Sequence, residues 1–251
     1  MSDALTIEGL VKQFGGLTAT DHLSLSVTQG EVHAVIGPNG AGKTTLIGQL
    51  TGEITPDAGT IRFAGRDVTG MAVHRRSMLG LARSFQITNV LADFTARANV
   101  ALAVQAHQGH SFRFWRKAAT DPRLIGPAEE HLATVGLADR ADVTASSLSH
   151  GEQRQLELAM ALATRPAMLL LDEPMAGMGP EDSARMVEIL KRLKGDLTIL
   201  LVEHDMDAVF ALADRITVLV YGRAIATGAP EQIRNDPDVR AAYLGEETGD
   251  A

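Results

Sequence analysis

The sequence predicts an α/β fold in which an antiparallel β layer precedes a parallel sheet, and a helical insertion interrupts the strands of that sheet. Apolar residues occupy every second position near the start of the chain, a pattern typical of half-buried strands. Further along, short and almost continuous apolar runs alternate with helix-like segments, as in parallel sheets covered by helices. From about residue 87 to residue 143 the strand-like runs disappear and helical spacing takes over.

Composition and charge indicate one large folded domain, or a core with one inserted subdomain. The chain has 251 residues, of which 45% are hydrophobic and 22% charged. Its 23 Lys and Arg residues against 31 Asp and Glu residues give a net charge of −8, which argues against a broad grip on nucleic acid. The absence of cysteine excludes disulfides, thiolate metal sites and thiol nucleophiles, and it suits a reducing compartment.

The sequence shows no membrane span and no export signal. No stretch approaches the roughly 18 apolar residues needed to cross a bilayer, and the first residues lack a basic segment followed by an apolar one. We therefore expect a cytoplasmic protein that meets a membrane only through a partner.

The first two predicted strands cover residues 5–7 and 23–27. Gly15-Gly16 provides a break between them, so they are expected to pair as an antiparallel layer.

A buried strand is predicted next, at residues 32–36, because this run is nearly continuous in apolar residues. It leads through a glycine-rich turn into a segment compatible with a helix from Lys43. The pair Arg75-Arg76 that follows is predicted to lie on a solvated face.

The insertion contributes two helical segments, at residues 98–106 and 128–135. After it, apolar runs at residues 168–171 and 197–202 are separated by a helix-like segment at residues 181–194. The alternation of strands and helices therefore resumes, and the insertion interrupts a single core.

The end of the chain is predicted to form a hairpin and a helical tail. Residues 216–221 and 224–227 flank Gly222-Arg223 as the two hairpin strands, and the polar helical tail ends near Leu244.

The order of these elements predicts two parts within one domain. The core with its β subdomain covers about residues 1–86 and 165–251, and the helical subdomain covers about residues 87–164.

The glycine-rich turn has the complete phosphate-loop pattern. It reads Gly37-Pro38-Asn39-Gly40-Ala41-Gly42-Lys43-Thr44. Glycines let the backbone turn its N–H groups toward phosphate oxygens, and the helix N-terminus favours negative charge. Lys43 is predicted to reach the β and γ phosphates of a nucleotide and Thr44 to ligate Mg²⁺, with Thr45 as a further nucleotide contact. The alternative is a glycine-rich turn that binds nothing.

A pair of carboxylates ends the apolar run at residues 168–171. Asp172 suits Mg²⁺ binding through water, and Glu173 would lie beside the γ phosphate and polarise a water molecule for attack. A solvated turn before Pro174 is the alternative for the pair. Beside a phosphate loop, the two acids indicate a nucleotide hydrolase.

The segment Leu148-Ser149-His150-Gly151-Glu152-Gln153 resembles the signature sequence of ABC ATPases, and the order of motifs is similar to that family over nearly the whole chain. The resemblance implies a phosphate-loop NTPase core of the ABC ATPase type that uses ATP and Mg²⁺. It further implies that Gln86 is the Q-loop glutamine that senses Mg²⁺ and the attacking water. His204 would be the switch histidine at the γ phosphate, and Phe14 the aromatic residue stacked on adenine.

Each of these three side chains also has a structural alternative. A lone glutamine such as Gln86 is more often a surface residue than a ligand. A lone histidine such as His204 is more often a satisfied core or surface group. Phe14 taken alone favours core packing, because the adjoining Gly15-Gly16 turn gives it a reason to be anchored.

Ser149 and Glu152 also fit a capping box that begins a helix. Both roles can hold together, because the N–H groups and dipole of a capped helix N-terminus attract an anion. The resemblance implies that Ser149, His150, Gly151 and Glu152 contact the ATP of another subunit, in a head-to-tail dimer with two ATP molecules between the subunits. His150 stands where the family commonly has glycine, and Gly179 where it commonly has Asp or Asn.

Five segments look like the ATP-binding subunits of branched-chain amino acid importers. They are Phe14-Gly15-Gly16-Leu17-Thr18-Ala19, Phe85-Gln86, Glu152-Gln153-Arg154-Gln155-Leu156-Glu157-Leu158-Ala159, Val202-Glu203-His204-Asp205-Met206 and Tyr243-Leu244-Gly245-Glu246. The long insertion looks similar too, and its aromatic segment at residues 111–117 is predicted to pack against its own subdomain. The alternative for this segment is contact with lipid headgroups or a membrane subunit.

This resemblance implies a set of partners. They are a second ATPase subunit, which is either another copy of this chain or a sister ATPase, two transmembrane permease subunits and, indirectly, an external solute-binding protein. The chain is expected at the cytoplasmic face of the cell membrane, with no nucleic acid bound. The alternatives are the ATPase of an exporter of the lipopolysaccharide type, an ABC ATPase that acts on nucleic acid or ribosomes, and a module that binds ATP without hydrolysing it.

Overall fold

The computed structural model describes residues 2–83, 90–108 and 121–244. The strands are β1 (Asp3–Phe14), β2 (Leu17–Thr28), β3 (Val32–Ile36), β4 (Ala58–Phe63), β5 (Arg66–Asp67), β6 (Leu81–Arg83), β7 (Met168–Asp172), β8 (Thr198–Val202), β9 (Arg215–Val220) and β10 (Arg223–Gly228). The helices are α1 (Lys43–Thr51), α2 (Val73–Met78), α3 (Ala96–Gln108), α4 (Pro122–Thr134), α5 (His150–Ala163), α6 (Pro180–Leu193), α7 (Met206–Leu212), α8 (Pro230–Asn235) and α9 (Pro237–Leu244).

The central sheet has six strands in the order β10-β9-β3-β8-β7-β6, and all neighbours are parallel except β10 and β9. Every residue of β3, β7 and β8 is buried, which explains why these strands appear in the sequence as apolar runs without alternation. The predicted parallel sheet is thereby confirmed. Its strands bring the phosphate loop, Asp172 and the segment after β8 to one edge.

The predicted antiparallel layer is also confirmed. A second sheet has the order β2-β1-β4-β5, and Leu5 pairs with Val27 and Ile7 with Leu25. These side chains pack in one cluster with residues of α1 such as Leu46, so the layer covers one side of the helix that follows the phosphate loop.

The helices α3, α4 and α5 pack on one another, and the first two confirm the helical segments expected in the insertion. Val100, Leu132 and Leu156 belong to one buried cluster, which continues into the central sheet through Leu169 and Leu171. The division near residues 87 and 164 stays a prediction.

The prediction for Arg76 was wrong. Arg75 is exposed as expected, but Arg76 is only 2% exposed. Its guanidinium donates to the carbonyl oxygens of Gln49 and Leu50 at 2.7 Å, and it also donates to two carbonyls of the segment before α2. Burial lowers the pKa of Arg76 from its usual value. Carbonyl groups at the end of α1 therefore hold a cation that the local sequence places at the surface.

The predicted terminal hairpin is present, with its turn one residue earlier than expected. Tyr221 and Gly222 form a two-residue turn, and β10 begins at Arg223, which pairs with Val220. The helical tail ends with α9 at Leu244. In the ranges described, none of the helices is long and apolar enough to cross a membrane.

Candidate functional site

The phosphate loop (residues 37–44) connects β3 to α1 in a conformation that only glycine satisfies at two positions. Gly37 and Gly42 have φ angles of 152° and 102°. A Cβ atom at Gly37 would collide with the carbonyl oxygen of Leu219, and one at Gly42 with the carbonyl oxygen of Ala19. The loop is therefore wedged between β2 and β9, which adds a packing reason to the flexibility that the sequence suggested.

Hydrogen bonds fasten the same loop to its neighbours. The N–H of Gly222 donates to the carbonyl of Ala41 at 3.0 Å, and the carbonyl of Gly222 accepts from the N–H of Asp21 at 2.9 Å. Arg223 adds an ion pair with the Asp21 carboxylate at 2.6 Å. The hairpin turn thus holds the phosphate loop and β2 together, a function that sequence analysis did not assign to it.

Lys43 is buried, and its amine donates to the carbonyl oxygens of Gly37 and, at 3.0 Å, of Pro38. The amine consequently lies against the curve of the loop. Asn39, Gly40 and Thr44 are exposed beside it, and Thr45 is half-buried. An amine, a hydroxyl and the N–H groups of a helix start form a donor set that fits the phosphates of a nucleotide.

Asp172 is the last residue of β7 and is 1% exposed. Burial raises the pKa of its carboxyl above the usual value, although the positive charges of Arg83 and Lys43 oppose the shift. Arg83, which sequence analysis passed over, lies 3.2 Å from Asp172 and 2.6 Å from Glu53. A buried carboxylate is an oxygen ligand that suits Mg²⁺, as is the hydroxyl of Thr44.

Glu173 has a φ angle of 49°, in the left-handed region that long side chains rarely adopt. Its N–H donates to the carbonyl of Val202 at 2.8 Å, so the ends of β7 and β8 are joined at this point. The nearest distance between its carboxylate and the ring of His204, from Oε1 to Nδ1, is 3.9 Å. The structure thus brings the predicted base, Glu173, close to the predicted switch histidine, His204. The backbone strain lies at Glu173 itself, and strain of this kind is often found at functional sites.

The N-terminus of α5 has the capping box that the sequence predicted. The Ser149 hydroxyl accepts from the N–H of Glu152 at 3.2 Å, and the Glu152 carboxylate accepts from the N–H of Ser149 at 2.8 Å. Burial alone would raise the pKa of Glu152, but hydrogen bonds from Ser149 and Arg140 lower it. A Cβ atom at Gly151 would collide with the side chain of Asp182, so α5 and α6 approach closely here. The contact of Ser149, Gly151 and Glu152 with ATP stays a prediction.

His150 and Phe14 are both exposed. The His150 ring lies 3.4 Å from the Cβ position of Gly177, in the loop that follows Glu173. Phe14, at the end of β1, is 48% exposed, and the Lys12 amine lies 5.4 Å from its ring centroid. This exposure does not fit the core-packing alternative for Phe14, while adenine stacking remains a prediction.

Two predictions fall outside the residues that the structure describes. One is the assignment of Gln86 as a sensor of Mg²⁺ and water, and the other is the packing of residues 111–117.

Glu203 had no predicted role beyond its place in the sequence before His204. Its side chain is fully buried, and its carboxylate accepts hydrogen bonds from the N–H groups of Met175, His204 and Asp205. One signal was available: an acid directly follows a buried strand and precedes a residue assigned to the site.

Two family models match the chain. The model of the ABC transporter family matches residues 20–176, and a model of branched-chain amino acid ATP-binding cassette transporters matches residues 225–248.

Curated relatives match along almost the whole chain. The high-affinity branched-chain amino acid transport ATP-binding protein BraF of Pseudomonas aeruginosa is 38% identical over 249 residues, which cover 96% of this chain and 98% of the relative. LivG of Escherichia coli, which has the same description, is 39% identical with the same coverage. These relatives do not favour the exporter or the nucleic-acid alternative.

Solved structures agree in fold. The ADP conformation of MJ1267, described as an ATP-binding cassette of an ABC transporter, is similar with a TM-score of 0.86 at 30% identity, and it covers 98% of this chain and 100% of that chain. The chain therefore belongs to the ABC transporter family, as one of its ATP-binding ATPases.

Proposed function

We propose that this chain hydrolyses ATP to power the import of branched-chain amino acids. The observation that carries the chemistry is the meeting of four groups at one edge of the sheet: the Lys43 amine, the Asp172 and Glu173 carboxylates and the His204 ring. The substrate is inferred from the descriptions of BraF and LivG and from the match at residues 225–248.

The phosphate loop binds the phosphates of ATP in this proposal. The contacts are Gly37, Pro38, Asn39, Gly40, Ala41, Gly42, Lys43, Thr44 and Thr45. Lys43 donates to the β and γ phosphates, and Phe14 stacks on adenine from the end of β1. The packing of the loop supports this assignment, because contacts with β2 and β9 and hydrogen bonds to the hairpin turn fix its shape.

Hydrolysis is assigned to Glu173 and His204. Glu173 orients and deprotonates the attacking water, and His204 donates a hydrogen bond to the γ phosphate. Thr44, Asp172 and Gln86 would hold Mg²⁺, which when bound would neutralise negative charge on the phosphates.

The partners are proposed from the family resemblance. A second ATPase subunit packs head to tail, and Ser149, His150, Gly151 and Glu152 of each subunit complete the ATP site of the other. Two permease subunits carry the solute at the membrane, on whose cytoplasmic face the ATPases lie, and an external solute-binding protein delivers it.

A Glu173→Gln variant tests the catalytic assignment. We expect steady-state ATP turnover to fall by at least about a hundredfold while ATP affinity stays unchanged, because the amide keeps the shape but removes the base. Glu188→Gln, which changes an exposed acid paired with Lys191, is the control and should turn over ATP normally. Normal turnover in Glu173→Gln would refute the mechanism.

The substrate is tested separately. With its permease subunits and solute-binding protein in proteoliposomes, the chain should drive ATP-dependent uptake of labelled leucine. Uptake of another small solute but not leucine would retain the ATPase and refute the assigned cargo.

A further inference from the structure

Glu203, between β8 and α7, is an ionisable group at the centre of a hydrogen-bonded junction. Its side chain is 0% exposed. Oε1 accepts from the N–H of Met175 at 3.0 Å, and Oε2 accepts from the N–H groups of His204 at 3.0 Å and Asp205 at 3.4 Å. Burying a carboxylate costs several kcal/mol unless hydrogen bonds compensate it, so these three donors account for its presence.

The three donors belong to two separate loops. Met175 lies in the loop after β7, two residues beyond Glu173, and His204 and Asp205 lie in the segment after β8. The backbone bond from Glu173 to Val202 already joins the strand ends at 2.8 Å. Glu203 adds a second connection further out, beyond the last paired residues of β7 and β8.

The ring of His204 extends from a backbone segment that is hydrogen-bonded to Glu203. It is 64% exposed, and its Nδ1 lies 3.9 Å from Glu173 and 3.7 Å from Glu203, both longer than a hydrogen bond. Side-chain contacts at these lengths hold the ring weakly. The hydrogen bond from the N–H of His204 to Glu203 fixes the backbone from which the ring extends.

We propose that Glu203 is a positioning residue that sets the separation of the Glu173 carboxylate and the His204 ring. It acts through the backbones of both loops and does not touch ATP. This inference rests on the proposed function, in which Glu173 and His204 act on the same γ phosphate. Misplacing a reacting group by about 1 Å can cost on the order of a hundredfold in rate, so a connection of this kind is relevant to turnover.

Glu203→Gln is the sharpest substitution, because it keeps the size of the side chain. The amide has one acceptor oxygen and one NH₂ group, and the NH₂ group must face either Met175 or the pair His204 and Asp205. At least one buried N–H then loses its acceptor. One of the two loops is released while the core around the side chain stays filled.

The control is Glu31→Gln, which alters a nearly buried carboxylate at the opposite end of the parallel strands. Glu31 precedes β3 and bonds to the buried ring of His33 at 2.7 Å. We expect Glu203→Gln to lower kcat about tenfold or more with KM for ATP changed less than about threefold, as for an interaction made in the transition state. Glu31→Gln should keep kcat within about twofold while losing a similar amount of thermal stability.

Amide hydrogen exchange provides a readout that does not depend on turnover. In Glu203→Gln, the amides of residues 175–179 and 204–205 should exchange faster, and in Glu31→Gln they should not. Should Glu203→Gln fail to fold, Glu203→Asp replaces it. That variant keeps the charge on a shorter side chain and should show the same loss of kcat and the same faster exchange.

Unchanged kcat and unchanged exchange in the Glu203 variant would overturn the inference, as would an equal kcat loss in Glu31→Gln. These outcomes are distinct from failure of the proposed function. That failure would show as normal turnover in Glu173→Gln, whatever Glu203 does.

Discussion

At the scale of single residues, the backbone around the site contains strain that is not confined to glycine. Glu173 and Tyr221 both have φ angles of 49°. Glu173 follows the site carboxylate Asp172, and Tyr221 lies in the turn that holds the phosphate loop. For residues with a Cβ atom the left-handed conformation costs roughly 1 kcal/mol. At Glu173 the strain coincides with the proposed catalytic base, whereas at Tyr221 it coincides with a side chain that is 85% exposed.

A substitution at Tyr221 can therefore stabilise the protein without changing a site residue. Tyr221 and Gly222 both have positive φ, as a type I′ turn requires, and Asn is favoured over Tyr at the first of these positions. Tyr221→Asn should stabilise the protein by about 0.5–1 kcal/mol and raise Tm by about 2 °C in a thermal scan. Tyr221→Val is the matched control and should lower Tm, because β-branched residues tolerate this conformation poorly. A lower Tm for the Asn variant would contradict the role of strain.

Glu31 predicts a dependence of stability on pH. Burial alone would raise the pKa of its carboxyl, but hydrogen bonds from His33 and Thr28 and the charge of Arg215 lower it below the usual value. Because the folded pKa is depressed, the ionised carboxylate stabilises the fold fully above about pH 4.5, and this stabilisation is lost as the pH falls through the folded pKa.

Glu31→Gln should accordingly be less stable than the wild type by about 1 kcal/mol at pH 6, measured by urea unfolding. The difference should shrink as the pH is lowered from 6 to values below about 4.5 and the wild-type carboxylate takes up its proton. Glu188→Gln, at an exposed ion pair, should show almost no difference at either pH. A Glu31 difference that is constant across this range would refute the pKa argument.

At the scale of elements, Arg76 fixes the C-terminus of α1, the helix that begins in the phosphate loop. It supplies donors to the last carbonyls of that helix, which have no partner within the helix. Arg76→Met should lower the free energy of unfolding by about 3 kcal/mol, because it leaves several buried carbonyls without donors. Arg75→Met, at an exposed neighbour, should change it by less than about 0.5 kcal/mol in the same denaturant titration. Equal effects would contradict the assignment.

Complete burial made three strands of the central sheet predictable from the sequence. The strands β3, β7 and β8 are buried on both faces, so each appears as an apolar run. The strand β4 was missed because only Ile61 and Phe63 of its six residues are buried, and β6 because its three residues become a strand only by pairing with β7.

Site residues were predictable from the sequence where they belong to a local motif. The phosphate loop and the pair Asp172 and Glu173 have fixed local patterns, and the structure places them at one sheet edge as the strand order predicted. Arg76 and Glu203 could not be found in this way. Each is a polar residue that joins its own segment to a partner about 25 or more positions away in the sequence. Local patterning therefore predicts a surface position for Arg76 and no role for Glu203.

At the scale of the whole molecule, the residues with predicted roles at ATP fall on two groups of elements. Lys43, Asp172, Glu173 and His204 lie at the edge formed by β3, β7 and β8, whereas Ser149 begins α5, which packs with α3, α4 and α6. In the proposed head-to-tail dimer, each ATP meets the first group from one subunit and Ser149 from the other. Each ATP site therefore needs residues from two subunits, so damage to the two groups of residues can be separated by mixing variants.

Two variants that are inactive alone should restore turnover when mixed. Lys43→Ala damages only the sheet edge of a subunit, and Ser149→Phe damages only its α5 start, so a mixed dimer keeps one undamaged site. Mixing Lys43→Ala with Glu173→Gln is the matched control, because both substitutions damage the sheet edge and leave every site in the mixed dimer defective. We expect phosphate release from the first mixture to exceed the sum of its parts and that from the control not to exceed it. If both mixtures gave only the sum, pairing of two copies of this chain across ATP would be refuted.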